Sequence, residues 1–218
     1  MHAAPGAGNA SIIDAAAFVP VEGRLEPRET VADPTGHGSR IARLFLGGRP
    51  VELLLGQVFT EAGPSSGAAV AAAIDWAVER GAGLIHLSLG LRGDRGVLRL
   101  AVQSALDAGC LVVAATPARG SPVYPAAYPG VIRATGDARC APGEVSALGP
   151  WLFGGCPRLD AATPTATGGA SIGAAWVTRA ILQEAARTTP DLLDALTARA
   201  TYLGPERRTE ANMSRLPG

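Results

Sequence analysis

Three side chains of complementary chemistry occur in the order Asp14, His37 and Ser171. A carboxylate can orient an imidazole, and that imidazole can take the proton of a serine hydroxyl as the oxygen attacks a carbonyl. Their separations are 23 and 134 residues, so only tertiary folding can make them neighbours. His37 sits in Asp33-Pro34-Thr35-Gly36-His37-Gly38-Ser39, where glycines on both sides permit close backbone approach. Asp33 in that segment reads as a turn or helix cap rather than as the orienting acid. Ser171 lies in Thr167-Gly168-Gly169-Ala170-Ser171-Ile172-Gly173-Ala174-Ala175. Small residues there let a peptide approach the hydroxyl and leave a backbone N–H exposed. Taken alone, Ser171 also suits a helix cap, and Asp14 after Ile12-Ile13 also suits a turn.

The elements that must carry these groups follow from apolar spacing. Ser11–Ile13 reads as a short strand ending at Asp14. A helix is expected over Arg40–Phe45, and the adjacent leucines of Val51–Phe59 predict a buried central strand. Ser66–Arg80 and Val97–Ala108 carry helical spacing, each stopped by a glycine, with strands at Leu84–Leu89 and Leu111–Ala115. Strands are also expected at Val131–Ala134 and Val145–Leu148, then a long loop through Thr167. Helices follow over Ser171–Ala186 and Asp191–Ala200. This alternation predicts parallel βαβ units. Residues from Gly204 onward are polar and unpatterned, so 1–204 reads as one domain and 205–218 as a tail. His86 falls among the packing positions of its strand, which makes it a poor catalytic base.

The histidine segment resembles the D-x-x-G-H-G-[ST] motif of subtilisin-like serine proteases. The Ser171 segment resembles that family's Gly-Thr-Ser-Met-Ala-x-Pro, with Ala170 replacing Thr and Ala175 replacing Pro. Ile12-Ile13-Asp14-Ala15-Ala16 retains the acid of the family's strand-end Asp-[Ser/Thr]-Gly without its hydroxyl and glycine. Ala73–Gly90, Ala101–Ala115 and Tyr128–Ile132 extend the likeness to roughly residues 10 to 204. It implies a three-layer α/β sandwich around a central, mostly parallel sheet. It further implies peptide hydrolysis in which Asp14, His37 and Ser171 act as orienting acid, base and nucleophile. Leu87, Ser88, Leu89 and Gly90, with Ala115, Thr116, Pro117 and Ala118, would then flank an extended peptide substrate, with a preference for a small or apolar P1 side chain. The family's oxyanion asparagine is missing: Thr116-Pro117-Ala118-Arg119-Gly120 puts Ala118 near its place, and Thr116 or Arg119 is left as a substitute. The resemblance therefore implies a slow or specialised endopeptidase. The alternative is a weakly active or inactive peptide-binding protein.

Composition sets the outer bounds. All 19 basic residues are arginines, balanced by 19 acids to a net charge of zero, and they are dispersed, which disfavours nucleic-acid binding. Cys110, Cys140 and Cys156 form no ligand cluster with histidine, so neither a metal nor a cofactor is expected. Cys110 begins an apolar run and reads as packed; Cys156, in a Gly/Pro-rich loop, is the better candidate for an exposed thiol, although packing within the loop is the plainer reading. No apolar stretch is long enough to cross a bilayer, and Met1–Ala10 lacks a signal-peptide pattern. A cytoplasmic protein that does not bind membranes is the default expectation. The few residues before Asp14 also predict folding without a covalent N-terminal propeptide.

Overall fold

The computed structural model describes residues 11–20, 25–30, 32–33, 35–47, 50–59, 66–121, 123–159, 169–184 and 188–206. In chain order the first elements are β1 (Ser11–Ala17), α1 (His37–Leu46), β2 (Glu52–Gln57), α2 (Gly67–Glu79), β3 (Leu84–Leu87), α3 (Gly96–Asp107) and β4 (Leu111–Ala115). They are followed by β5 (Ile132–Gly136), β6 (Val145–Gly149), β7 (Leu152–Gly155), α4 (Ala170–Gln183), α5 (Thr189–Ala198) and β8 (Tyr202–Leu203).

The apolar run of β4 explains the layering. Successive strand residues point to opposite faces, so a run apolar at every position needs cover on both sides. Val112 and Ala114 pack with Val70 and Ile74 of α2 and Leu98 and Val102 of α3. Val113 and Ala115 pack with Val177 and Ile181 of α4 and Leu192 and Leu196 of α5. Leu98, Val113 and Leu196 are fully buried, each contributing about 1.5–3 kcal/mol of transfer free energy. The result is an α/β sandwich whose six-stranded sheet runs β3-β4-β5-β7-β6-β8. All its pairings are parallel except β6 with β7.

Four details differ from the sequence expectation. β1 continues to Ala17, because Asp14 through Ala17 pair with Leu54 through Gln57; Asp14 therefore stands mid-strand, not at a strand end. β2 is not a buried central strand: β1 and β2 form a separate parallel pair, and Leu53, Leu54 and Leu55 are only half-buried. β7 falls where a loop was expected, since Gly154 and Gly155 hide its strand character; Gly155 allows α4 to approach, and Gly154 lies against Ser146 and Asp137. β8 is only two residues long, too short for a periodicity signal. The expected tail from residue 207 and the loop at 160–168 lie outside the described residues.

Candidate active site

The N-terminus of α1 carries the histidine. Gly36 adopts φ 62°, the left-handed conformation that glycine enters without a Cβ penalty, and the helix starts at the next residue. Asp33 accepts from the Ser39 amide at 2.8 Å and the Ser39 hydroxyl at 2.9 Å, satisfying a first-turn donor. It is thus the helix cap that the sequence indicated. Partial burial works to raise the Asp33 pKa, but the Ser39 and Thr35 hydrogen bonds outweigh it and leave it lowered. The His37 amide donates to Thr35 Oγ1 at 3.2 Å. This turn therefore fixes where the imidazole leaves the backbone.

Ser171 is the second residue of α4, whose first turn is pressed onto the sheet. A Cβ at Gly173 would meet the Thr135 carbonyl oxygen, and would lie 2.5 Å from Gly136 Cα and 2.7 Å from its nitrogen. Only glycine allows so close an approach. α1 then packs on α4 through Ile41, Leu44 and Phe45 against Ile172, Ala175 and Trp176. Two helix N-termini, one with a histidine and one with a serine, are held in one cluster.

Both side chains converge on Ser88, the residue just after β3. His37 Nε2 lies 3.3 Å from Ser88 Oγ, and Ser171 Oγ donates to the Ser88 carbonyl at 3.3 Å. Asp14 makes a different set of contacts. Its carboxylate accepts from Arg80 Nε at 2.7 Å and from the Ala15 amide at 2.8 Å, in an exposed position. The Arg80 hydrogen bond, aided by that amide, holds the Asp14 pKa below the ordinary carboxylate value. The guanidinium of Arg80 also lies over the Trp76 ring, 4.6 Å from its centroid. Among the described residues, no hydrogen bond joins His37 to Asp14 or to Ser171. Sequence reasoning missed Arg80 as the partner of Asp14, for a charge on an exposed helix end gives no local sign of a strand 66 residues away. It named Ser88 only as a lining residue; its place after a strand and beside β4 was the available signal.

The other expected lining residues divide by depth. Leu87 and Ala115 are buried in the core on either side of the sheet, while Ser88, Leu89 and Thr116 are half-buried. Gly90, Pro117, Ala118 and Arg119 are exposed. The segment after β3 is tied down by a two-way bridge between Leu91 and Tyr124, with N···O distances of 2.7 and 2.9 Å. The Thr116 amide donates to the Ala134 carbonyl at 2.8 Å. Among the described residues, no side-chain hydrogen bond involves Thr116 or Arg119.

A cavity of about 1300 Å³ runs beside His37, lined by that residue, by Ser88 and by every residue of β2 and β3, His86 of β3 among them. His86 Nδ1 is 2.8 Å from Thr178 Oγ1, and its ring meets Phe45 edge-on at 5.2 Å. Burial, with a smaller contribution from His37, pulls the His86 pKa down to about 4, so it stays neutral near pH 7. That agrees with its reading as a packing residue. Cys156 is packed, not exposed: it is fully buried, and Cys110 and Cys140 are buried too. The loop around Cys156 is covered by Ile172, Trp176 and the α1 side chains. No helix among the described residues is long and apolar enough to cross a membrane.

No family model matches the chain. The thermostable alkaline protease of Halalkalibacterium halodurans is 35% identical over 112 residues, covering 46% of this chain and 31% of that protein. Subtilisin Savinase of Lederbergia lenta is 34% identical over 125 residues, covering 52% of this chain and 44% of that protein. The matched part thus spans less than half the length of these curated relatives. Among solved structures, the prenylagaramide maturation protease PagA aligns over 88% of this chain and 83% of its own, with a TM-score of 0.57 and 21% identity. Sphericase aligns over 88% and 84%, with a TM-score of 0.57 and 18% identity. At such identities the structural likeness speaks for the fold, and the curated relatives supply the sequence kinship. The chain shares the subtilisin-like fold and is similar in sequence to subtilisin-like proteases over about half of its length. Within this subtilisin-like fold, the helices bearing His37 and Ser171 are packed together, whereas the Asp14 strand belongs to the separate β1–β2 pair.

Proposed function

We propose that this protein is a slow serine endopeptidase in which Ser171 is the nucleophile, His37 the general base and Asp14 the orienting acid. The observation that carries the reading is the convergence of His37 Nε2 and Ser171 Oγ on one residue, Ser88, at the N-termini of two packed helices. His37 takes the Ser171 proton as the oxygen attacks the peptide carbonyl, then returns it to the leaving amine. Water repeats the relay to release the acyl group. Asp14 serves by leaving Arg80 and accepting from the other imidazole nitrogen. The Ser171 amide, in the first turn of α4, faces the developing oxyanion with the favourable end of the helix dipole behind it.

Substrate would be an extended peptide lying between Ser88–Gly90 and Thr116–Ala118, with a small or apolar P1 side chain. The unit responsible is residues 1–204, with 205–218 as a polar tail. Ala118 offers no side-chain donor. In subtilisin itself, a relative of this chain, losing the oxyanion asparagine costs about 100- to 1000-fold in kcat, a published magnitude that sets the scale of the slowness expected here.

One observation favours a second reading, a peptide-binding protein with little or no turnover: the Asp14 carboxylate is engaged by Arg80. The sequence resemblance, which puts Ala118 near the place of the oxyanion donor, points the same way. A peptide-library digest of purified protein beside S171A separates the two. Endopeptidase action predicts cleavage that S171A abolishes while peptide binding persists. Binding without cleavage in the wild type would favour the second reading.

A further inference from the structure

Helices α2 and α3 form a surface that the proposed hydrolysis does not use. They lie side by side and run the same way. Their N-terminal ends meet where the Arg95 side chain rests on Gly67, whose added Cβ would lie 2.8 Å from Arg95 Cγ. Their C-terminal ends meet where Cys110 Sγ donates to the Ala82 carbonyl at 2.8 Å. Between them runs an open groove of about 440 Å³, floored by the buried Ala71 and Ala101 and flanked by Ala68, Ala72, Val97 and Leu100. Val97 is 51% and Leu100 72% exposed, one helical turn apart on one face of α3. An alanine-lined groove and two bare apolar knobs thus share a single patch.

The charges around this groove are placed against the helices that carry them. The last two turns of α2 hold Asp75 and Glu79, α3 ends on Asp107, and neither helix has a base in its last turn. Acids there meet the negative end of the helix dipole, and Asp75 and Glu79, four residues apart, repel each other. Burial beside the groove, then the Glu79 charge, raises the Asp75 pKa. Among the described residues, no ion pair reaches Asp75 or Glu79. At the opposite end of the groove Arg95 stands at the positive end of the α3 dipole. Its guanidinium donates to the backbone carbonyl of Asp94 at 3.2 Å, while the Asp94 carboxylate takes Arg99 and Tyr128. Each end of the patch therefore carries the charge that the other end lacks.

A twofold axis normal to this face turns a second copy end for end. A closed twofold contact uses the same patch on both copies, so knob and groove, cation and acid, must all be present on it. We propose that the α2–α3 face is a self-association surface on which a second copy of this chain docks antiparallel. Leu100 of each copy seats against the alanine groove of the other, and Asp75 and Glu79 face the partner's Arg95. The two helices, of 13 and 12 residues, are about 20 Å long and together about 20 Å wide. Their footprint is about 400 Å² per copy, half of the about 800 Å² per partner typical of stable complexes, so the dimer is weak and forms with rising concentration.

Sedimentation velocity of the full chain tests this. The mass should climb from that of one chain toward that of two as the concentration is raised through the micromolar range. Leu100→Glu puts a charge into the apolar seat and should hold the mass at one chain throughout. Asp75→Arg or Arg95→Glu alone sets like charges opposite each other at two symmetry-related places. Either should weaken association roughly tenfold, the scale of two exposed ion pairs. The two reversals combined restore opposite charges across the axis and should recover most of the wild-type affinity. A wild type that stays at one-chain mass up to about 1 mM would overturn the proposal without any variant. So would a dimer that Leu100→Glu leaves intact, or a double reversal that associates no better than the single ones. A monomeric wild type that instead binds an added basic helical peptide at this face would overturn the second copy as its occupant.

Discussion

Gly173→Ala tests whether the contact between α4 and the sheet positions the nucleophile. The new Cβ would lie 2.5 Å from Gly136 Cα and 2.7 Å from Gly136 N, whereas ordinary contacts begin at 3.4 Å. Both neighbours are backbone of β5 and cannot rotate away, so the first turn of α4 must move outward by about 0.9 Å, the difference of 3.4 and 2.5 Å. Overpacking of this kind typically costs about 1–3 kcal/mol, and the rigidity of the partners places this site at about 3 kcal/mol. Against a stability of about 5–15 kcal/mol, that is a visible drop in the urea midpoint. The same displacement carries Ser171, two residues earlier, away from His37. A misplacement of about 1 Å can cost about 100-fold in rate, so labelling of Ser171 by a fluorophosphonate should fall by about that factor even where the variant is folded. Gly96→Ala is the control, because a Cβ there meets nothing within 4 Å and its φ is not left-handed. It should hold or slightly raise the midpoint and leave labelling unchanged. Denaturation curves and labelling rates, measured below the unfolding range, give both readouts. A Gly173→Ala protein with wild-type midpoint and labelling would refute the claim that this contact fixes the serine.

Three further outcomes are expected. Arg80→Ala releases the Asp14 carboxylate, so peptide turnover should rise with little change in the urea midpoint, since exposed ion pairs contribute little; Asp14→Asn should lower turnover in both backgrounds, and a rise that survives Asp14→Asn would exclude Asp14 as the acid. Ala118→Asn, on the exposed loop after β4, should raise kcat by less than the about 100- to 1000-fold scale set by the subtilisin donor, and unchanged turnover in a folded variant would count against Ala118 as the vacant oxyanion position. Burial works to raise the Asp137 pKa, but hydrogen bonds from Arg139 and Ser146 leave it lowered. Its stabilising contribution is therefore full above the unfolded carboxylate range, near pH 4, and is lost as pH falls through the lower folded value. Asp137→Asn should flatten the loss of urea midpoint between about pH 5 and pH 2, and an unaltered slope would mean another carboxylate dominates.

The sequence by itself determined the alternating βα architecture from Ser66 to Ala115, because each helix there has a full apolar face and a glycine stop, and each strand a run too apolar for solvent. It also determined the segments bearing His37 and Ser171, whose glycines, capping acid and small residues act within a few positions of the side chain they serve. Tertiary structure decided what those local signals do not contain. β7 was illegible because its glycines answer to distant neighbours: Gly155 to Gly173 of α4, 18 residues later, and Gly154 to Ser146 and Asp137. The burial of Cys156 comes from α1 and α4 closing over it, not from its Gly/Pro-rich surroundings. The carboxylate of Asp14 could have turned to any cation brought near it, and the folding of α2 beside β1 supplied Arg80. Ser88 stands between His37 and Ser171 for the same reason: hydrogen bonds across 51 and 83 residues depend on where three separate elements end in space, which no local pattern encodes.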